Sequence, residues 1–272
     1  MKHLLIISAA ALIAFAGCSA PTDTNTFSDQ LVVNAFLIGG QPIDSVFVQK
    51  TGRVTELYTE EQSAVNNAIV IITGNNTVDT LAADPLHPGH YASTHRDRRV
   101  QPGASYSLLV KVQGYGDVTG STSVPDTFSV LNAQDFAKSV KYQPVSAPLH
   151  ITWNKAGNFA DVMVLIRSVE PNPELIPVSY HQGDNKPDRT AIGFFMGDVN
   201  ESDISWLYFN YYGKTIISVA ASDRNYFEYL KQAMAAQQAS DLKEIRYNLT
   251  GAIGVFGAET IANNTIELTI TP

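Results

Sequence analysis

Three histidines and two aspartates crowd a short stretch of this 272-residue chain: Asp84, His87, His90, His95 and Asp97. Imidazole nitrogens and carboxylate oxygens are ligands that divalent transition metals accept, so such a cluster can bind a metal ion. Pro88 and Gly89 separate His87 from His90 and predict a turn between them. We therefore expect exposed histidines on a hairpin and no metal or other cofactor, with a transition-metal site as the alternative.

A dense basic run follows at Arg96, Arg98 and Arg99, in a chain whose formal net charge is −8. Guanidinium groups pair with carboxylates and phosphates, so the run is a candidate contact for an acidic protein partner or for lipid headgroups. Asp97 lies inside the run, which also fits a solvated edge strand. The acidic balance of the whole chain argues against nucleic-acid binding.

The densest aromatic segment, WLYFNYY at residues 206–212, is a second candidate surface. If it forms a strand, Trp206, Tyr208 and Tyr212 share one face, and exposed Trp and Tyr side chains bind sugars and peptides. The other face must pack in the core, and a helix later in the chain can cover this one. We expect core packing, with a glycan-binding stripe as the alternative.

Known catalytic signatures are absent from the sequence: it has no G-x-S-x-G elbow, H-E-x-x-H pair, P-loop or dinucleotide-binding fingerprint. Asp184 and Asp188 lie in a loop rich in Pro, Asn and Asp over residues 170–189. A hydrolase that uses carboxylates of residues 170–203 is a remote alternative, because nothing in the sequence sets their separation. We therefore expect a protein that is not an enzyme.

The single cysteine, Cys18, directly follows a basic head and an uncharged apolar run from Leu4 to Ala16. This layout is typical of a secretory signal, and Phe15-Ala16-Gly17-Cys18 resembles a bacterial lipobox. We expect a signal peptide at 1–17, lipidation of Cys18 and a flexible tether at 18–29. Acyl chains would anchor the protein firmly, and Ser19 rather than Asp favours the outer membrane, on either its periplasmic or its surface side. An ordinary signal peptide is the alternative.

The sequence predicts that β-strands carry most of these side chains. Residues 30–125 contain short alternating segments separated by Gly, Pro and Asn, which is typical of a β-sandwich. Residues 126–272 repeat this pattern until residues 223–238, where apolar side chains recur with helical spacing after the capping residue Asp223. We expect an all-β chain of two sandwiches, immunoglobulin/transthyretin-like and fibronectin III-like, with one amphipathic helix late in the second.

Three motifs in the first half follow a known order: A-I-V-I at 68–71, P-G-H-Y at 88–91 and P-G-A-S-Y-S-L at 102–108. This order resembles the transthyretin-like or carboxypeptidase-regulatory-like sandwich. In that sandwich the glycines serve the turns and the tyrosines pack beneath them. The resemblance implies the same fold for the first domain.

The whole layout is similar to a family of bacterial lipoproteins common in Bacteroidota, the domain of unknown function DUF4249. The matching pieces are the lipobox, L-V-V-N-A at 31–35 and Y-N-L-T-G-A-I-G-V-F-G at 247–257, where Ala252 replaces the family's second glycine. These motifs consist mostly of turn and core residues, so the resemblance implies a fold and names no catalytic residue. Members are often encoded beside TonB-dependent receptors, which implies a partner role in the cell envelope.

Together these observations predict a lipoprotein that is held at the outer membrane by its N-terminal lipid. It would act as an accessory to a cell-envelope uptake or surface complex by binding a protein partner, with a β-barrel receptor as the expected one, or a ligand. A surface glycan-binding module is the alternative function.

Overall fold

The computed structural model describes residues 28–53, 55–57, 59–177, 187–195, 197–238 and 248–272, with the backbone alone at 191–195 and 234–238. The predicted signal peptide, Cys18 and nearly all of the predicted tether lie outside the described residues. Within these ranges, no helix is long and apolar enough to cross a membrane.

Strands dominate the described part of the chain. The first half contains β1 (Leu31–Ile38), β2 (Val46–Lys50), β3 (Ile69–Gly74), β4 (Thr77–Ala83), β5 (His90–Ala92), β6 (Ser105–Lys111) and β7 (Val118–Ser123), and a short helix α1 (Glu60–Ser63). The second half contains β8 (Ser139–Lys141), β9 (Leu149–Thr152), β10 (Asp161–Ser168), β11 (Thr190–Phe195), β12 (Glu201–Ile204), β13 (Gly213–Ser222), helix α2 (Arg224–Gln238), β14 (Ile253–Ile261) and β15 (Ile266–Thr271).

One continuous sheet runs through both halves in the order β11-β10-β13-β14-β1-β2-β5-β4-β3-β6-β7. Strand β15 joins it beside β13 and pairs with β8, while β9 and β12 form a separate pair. The joint between the halves is the parallel pairing of β1 with β14, whose register runs from Val32 opposite Ile253 to Ile38 opposite Glu259. Strand β14 also pairs antiparallel with β13, so this strand connects the two halves.

Two clusters of buried apolar side chains lie on either side of this joint. The first is built from residues 31–124 together with Phe256 and Ala258 of β14, and the second from side chains between Phe128 and Ile270. The sequence-based division at residue 125 remains a prediction. Part of the predicted second domain, residues 126–272, packs in the first cluster, because Phe256 and Ala258 of β14 belong to that cluster.

The predicted all-β fold is confirmed, and the described residues contain one long helix, as predicted. Helix α2 begins after Asp223, whose carboxylate oxygen Oδ1 accepts a hydrogen bond from the backbone N–H of Tyr226 at 2.9 Å. This is the N-cap that the sequence predicted. The predicted strand over 206–212 is wrong, because Trp206–Tyr208 form a single 3-10 turn capped by the Ser205 hydroxyl. The arginine run also lies in a loop, so the edge strand considered for it is wrong.

Candidate functional site

The chain between β4 and β6 carries most of the candidate side chains that the sequence singled out. A tight turn at Pro88 and Gly89 leads into β5, and Gly89 has a positive φ of 76°. A Cβ atom there would lie 2.8 Å from the carbonyl oxygen of Val48, and the Gly89 N–H donates to the side chain of Asn66 at 2.6 Å. These contacts press the turn against β2 and thereby fix where His87 and His90 can point.

Asp84, His87 and His90 form a compact cluster on this turn. The Nδ1 atoms of His87 and His90 lie 2.7 Å and 3.3 Å from the same oxygen, Oδ2 of Asp84. The other oxygen, Oδ1, accepts the backbone N–H of Leu86 at 2.9 Å. The hydrogen bond from His87, followed by that from Leu86, lowers the pKa of Asp84 to about 2, so this carboxylate is ionised at neutral pH.

The two histidines of this cluster differ in exposure. His87 is exposed, as the sequence predicted, whereas the His90 side chain is only 13% exposed. The His90 ring packs against Phe47 at a centroid distance of 5.0 Å, and β2–β5 pairing places these two residues opposite each other. His95 and Asp97, which the sequence placed in the same stretch, are not part of the cluster.

Asp44 connects the histidine cluster to the arginine run. Its backbone carbonyl oxygen accepts a hydrogen bond from Nε2 of His90 at 2.7 Å, and its carboxylate pairs with Arg96 at 2.9 Å. The hydrogen bond that Arg96 donates to the Asp44 carboxylate raises the pKa of the Arg96 guanidinium. Sequence reasoning missed Asp44, because no local signal shows that a residue 46 positions before His90 lies beside it.

The segment that we name the arginine loop, residues 94–99, is exposed along its whole length. Within the part of the chain that the structure describes, Arg96 pairs with Asp44, but Arg98 and Arg99 have no carboxylate within salt-bridge distance. The Arg99 guanidinium donates to the backbone carbonyl of Arg96. Two of the three predicted partner-binding guanidiniums are therefore available to a partner.

A groove of about 220 Å³ lies beside the arginine loop, between Arg98, Arg99 and the ring of Tyr106. Asp79 also lines it and is only 4% exposed. Oδ2 of Asp79 accepts the Ser93 hydroxyl at 2.5 Å, whereas Oδ1 has no hydrogen-bond partner. The carboxyl group of Asp79 and the guanidinium groups of Arg98 and Arg99 therefore line the same groove.

The aromatic segment does not form an exposed stripe. Trp206 is 5% exposed and belongs to the second core cluster, where its indole Nε1 donates to the carbonyl oxygen of Ala147 at 3.0 Å. Tyr208 and Tyr212 are half-buried and pack against the same cluster. The expected core packing is therefore what the structure has for these three side chains.

The carboxylates of residues 170–203 are spread over several local contacts, and Asp184 lies outside the described residues. Glu201 and Asp203 flank His150 at 3.8 Å and 2.9 Å. Glu170 accepts the backbone N–H of Lys214 at 3.1 Å, and Asp188 accepts that of Thr190 at 3.3 Å. Glu170, Asp188, Glu201 and Asp203 therefore each have a local structural contact.

A wider cleft of about 570 Å³ lies at the joint between the two core clusters, a feature that the sequence did not predict. Small polar side chains line most of it, including Ser121, Thr122 and Ser123 of the first half and Asp223 at the start of α2. The Asp223 carboxylate is already bonded to Thr122, Tyr226 and Ala258. The cleft therefore offers hydroxyl and amide groups but no free charged cluster.

Comparison with known proteins gives one family and a weak structural likeness. A family model, described as a domain of unknown function (DUF4249), matches residues 19–265 and so spans strands β1 to β14. A crystal structure of DIP-gamma IG1+IG2 is similar over 90% of this chain and 99% of that chain, at 10% identity and a TM-score of 0.21. No curated protein matches the chain.

Proposed function

We propose that this chain, which belongs to the family described as a domain of unknown function (DUF4249), is a lipid-anchored protein of the cell envelope that binds an acidic surface of a protein partner. It would serve as an accessory of an uptake or surface complex, with a β-barrel receptor of the outer membrane as the partner. Binding and positioning, rather than catalysis, would be its task.

The observation that carries this proposal is the arginine loop. Arg98 and Arg99 are exposed and have no carboxylate partner among the described residues, in a protein whose net charge is −8. Arginine forks bind carboxylates in two-pronged geometry, which supplies specificity as well as attraction. Leu86, on the turn that also carries Asp84 and His87, is 81% exposed and adds an apolar side chain to the exposed surface of the segment between β4 and β6.

The lipobox supports the anchoring part of the proposal. We expect Cys18→Ala to move the protein from the membrane fraction to the soluble fraction of lysed cells, because the acyl chains are its only proposed anchor. Immunoblotting of washed membranes measures this. A Cys18→Ala protein that stays with the membranes after high-salt washing contradicts lipid anchoring.

The partner contact is tested by affinity capture from solubilised envelopes. The double variant Arg98→Glu/Arg99→Glu reverses two charges on exposed side chains, so we expect it to fold normally and to lose the partner that the unaltered protein captures. The double variant Lys138→Glu/Lys141→Glu is the matched control. It makes the same charge change at exposed lysines beside the second core cluster, and we expect it to capture as the unaltered protein does.

A further inference from the structure

We propose that Asp84, His87 and His90 bind a divalent transition-metal ion, with Zn²⁺ as the representative ion. This site is independent of the partner contact proposed above, because its ligands come from this chain alone. The candidate ligand atoms are Oδ2 of the aspartate and one ring nitrogen of each histidine, and they all lie within 4.8 Å of one another.

The spacing of these atoms is close to what a metal needs. Zn²⁺ binds imidazole nitrogen and carboxylate oxygen at about 2.0–2.2 Å, which places two ligands of a tetrahedral ion roughly 3.4 Å apart. Nδ1 of His90 lies 3.3 Å from Oδ2 of Asp84, and Nδ1 of His87 lies 2.7 Å from it. The ring nitrogens of His87 and His90 lie within 4.8 Å of each other. The His87 side chain is 71% exposed, so it can move to adjust its distance to both other ligand atoms.

The surroundings of His90 orient it as a ligand. Nε2 lies 2.7 Å from the backbone carbonyl oxygen of Asp44, which only accepts hydrogen bonds, so Nε2 carries the proton. In a neutral ring the lone pair is then on Nδ1, and it faces Oδ2 of Asp84, another acceptor. A cation between the two atoms removes this conflict. Histidines that bind metals usually donate their other N–H to a carbonyl or carboxylate in this way.

Asp84 is oriented in the same manner. Its Oδ1 accepts the Leu86 N–H, which leaves Oδ2 to face both histidines. Two imidazoles with one carboxylate favour Zn²⁺, Cu²⁺ or Ni²⁺ over Ca²⁺ and Mg²⁺, which prefer sites made of oxygen alone. Three protein ligands leave at least one coordination position for water or for a donor atom of another molecule.

The alternative for the same geometry is that protonated histidines simply pair with Asp84. Direct titration separates the two. We expect the full chain, purified in detergent and freed of metal, to bind one Zn²⁺ in competition with a chromogenic chelator. His87→Gln and His90→Gln should each weaken that binding at least about tenfold, since each removes one of three ligands.

Two control variants are available in the same chain. His95→Gln removes an exposed histidine five residues beyond His90 that is not part of the cluster. His150→Gln removes a histidine that also lies between two carboxylates. Both control variants should bind Zn²⁺ as tightly as the unaltered protein does. In a separate measurement, Cu²⁺ bound to the unaltered protein should show nitrogen hyperfine coupling in its electron paramagnetic resonance spectrum. His87→Gln should reduce this coupling.

The proposal is overturned if no stoichiometric Zn²⁺ binding is found, or if His87→Gln binds as tightly as the unaltered chain. It is equally overturned if His150→Gln, and not His87→Gln, removes the binding. His87 is exposed and outside both core clusters, so His87→Gln should keep its circular dichroism spectrum and decide the question even if His90→Gln does not fold.

Discussion

Replacing Gly254 by alanine is expected to cost about 4 kcal/mol of unfolding free energy, or to prevent folding altogether. Gly254 has a φ of 120°, which L-residues rarely adopt. A Cβ atom there would overlap the carbonyl oxygen of Val33 and lie 2.8 Å from its carbonyl carbon. Val33 is directly opposite Gly254 in the β1–β14 pair, so the substitution forces apart the two strands that join the halves of the chain.

Urea unfolding followed by tryptophan fluorescence measures this effect, because Trp153 and Trp206 are both buried in the second cluster. Gly116→Ala is the matched control. A Cβ atom at Gly116 meets no atom within 4 Å, so we expect its stability to stay within about 0.5 kcal/mol of the unaltered protein. A Gly254→Ala protein as stable as Gly116→Ala would mean that β1 and β14 do not pair as described.

Asp223→Ala is expected to lose about 3 kcal/mol of unfolding free energy. The buried carboxylate accepts three hydrogen bonds: from the Thr122 hydroxyl at 2.5 Å, the Tyr226 N–H at 2.9 Å and the Ala258 N–H at 3.0 Å. Removing it deprives a buried hydroxyl, a buried N–H group and a part-buried N–H group of this partner, and it removes the N-cap of α2. Thr122 is on β7 and Ala258 on β14, so the loss falls on the joint between the halves.

The variant Asp223→Asn distinguishes the contribution of the hydrogen bonds to stability from that of the negative charge. Oδ1 accepts both backbone N–H groups, and only Oδ2 meets the Thr122 hydroxyl, which can accept from an amide instead. Burial raises the pKa of Asp223, so ionisation is less favourable there than in water. We therefore expect Asp223→Asn to lose less than about 1 kcal/mol. A loss as large as that of Asp223→Ala would make the negative charge, and not the hydrogen bonds, the stabilising feature.

Local signals in the sequence were enough to predict the turns and the long helix. Asn75 and Asn76 have φ values of 48° and 58° in the turn between β3 and β4, a conformation that asparagine tolerates better than most residues. The cap at Asp223 and the apolar spacing after it likewise depend on neighbours within one or two helical turns. Each of these features is determined by interactions between residues close in sequence.

The closing motif at 247–257 makes tertiary contacts that its neighbours in the sequence do not predict. The side chain of Asn248 donates to the Phe256 carbonyl at 2.7 Å and accepts its N–H at 2.9 Å. A Cβ atom at Gly257 would lie 2.8 Å from that of Tyr226, so α2 packs directly on this glycine. The motif thus contacts both helix α2 and strand β1. Its pairing with β1, more than 200 positions away, is a tertiary contact without a local signal.

The sequence pattern at 206–212 predicts a strand, but the structure has a 3-10 turn at Trp206–Tyr208. Alternating large apolar residues predict a strand, but the same pattern places Trp206 and Phe209 on one side of a 3-10 turn, where they pack at 5.6 Å between ring centroids. In the candidate site, sequence spacing placed His87 near His90, whereas the contact of Asp44 with both His90 and Arg96 needed the fold.

Binding of an envelope partner through the arginine loop is measured by quantifying one envelope protein that the chain captures. We predict that the unaltered chain and the Lys138→Glu/Lys141→Glu control recover the same outer-membrane partner. Arg98→Glu/Arg99→Glu should recover at least about tenfold less of it, since like charges placed across an interface oppose binding by more than 1.4 kcal/mol. Equal recovery of that partner by all three proteins, or recovery of no specific partner by the unaltered chain, would contradict the claim.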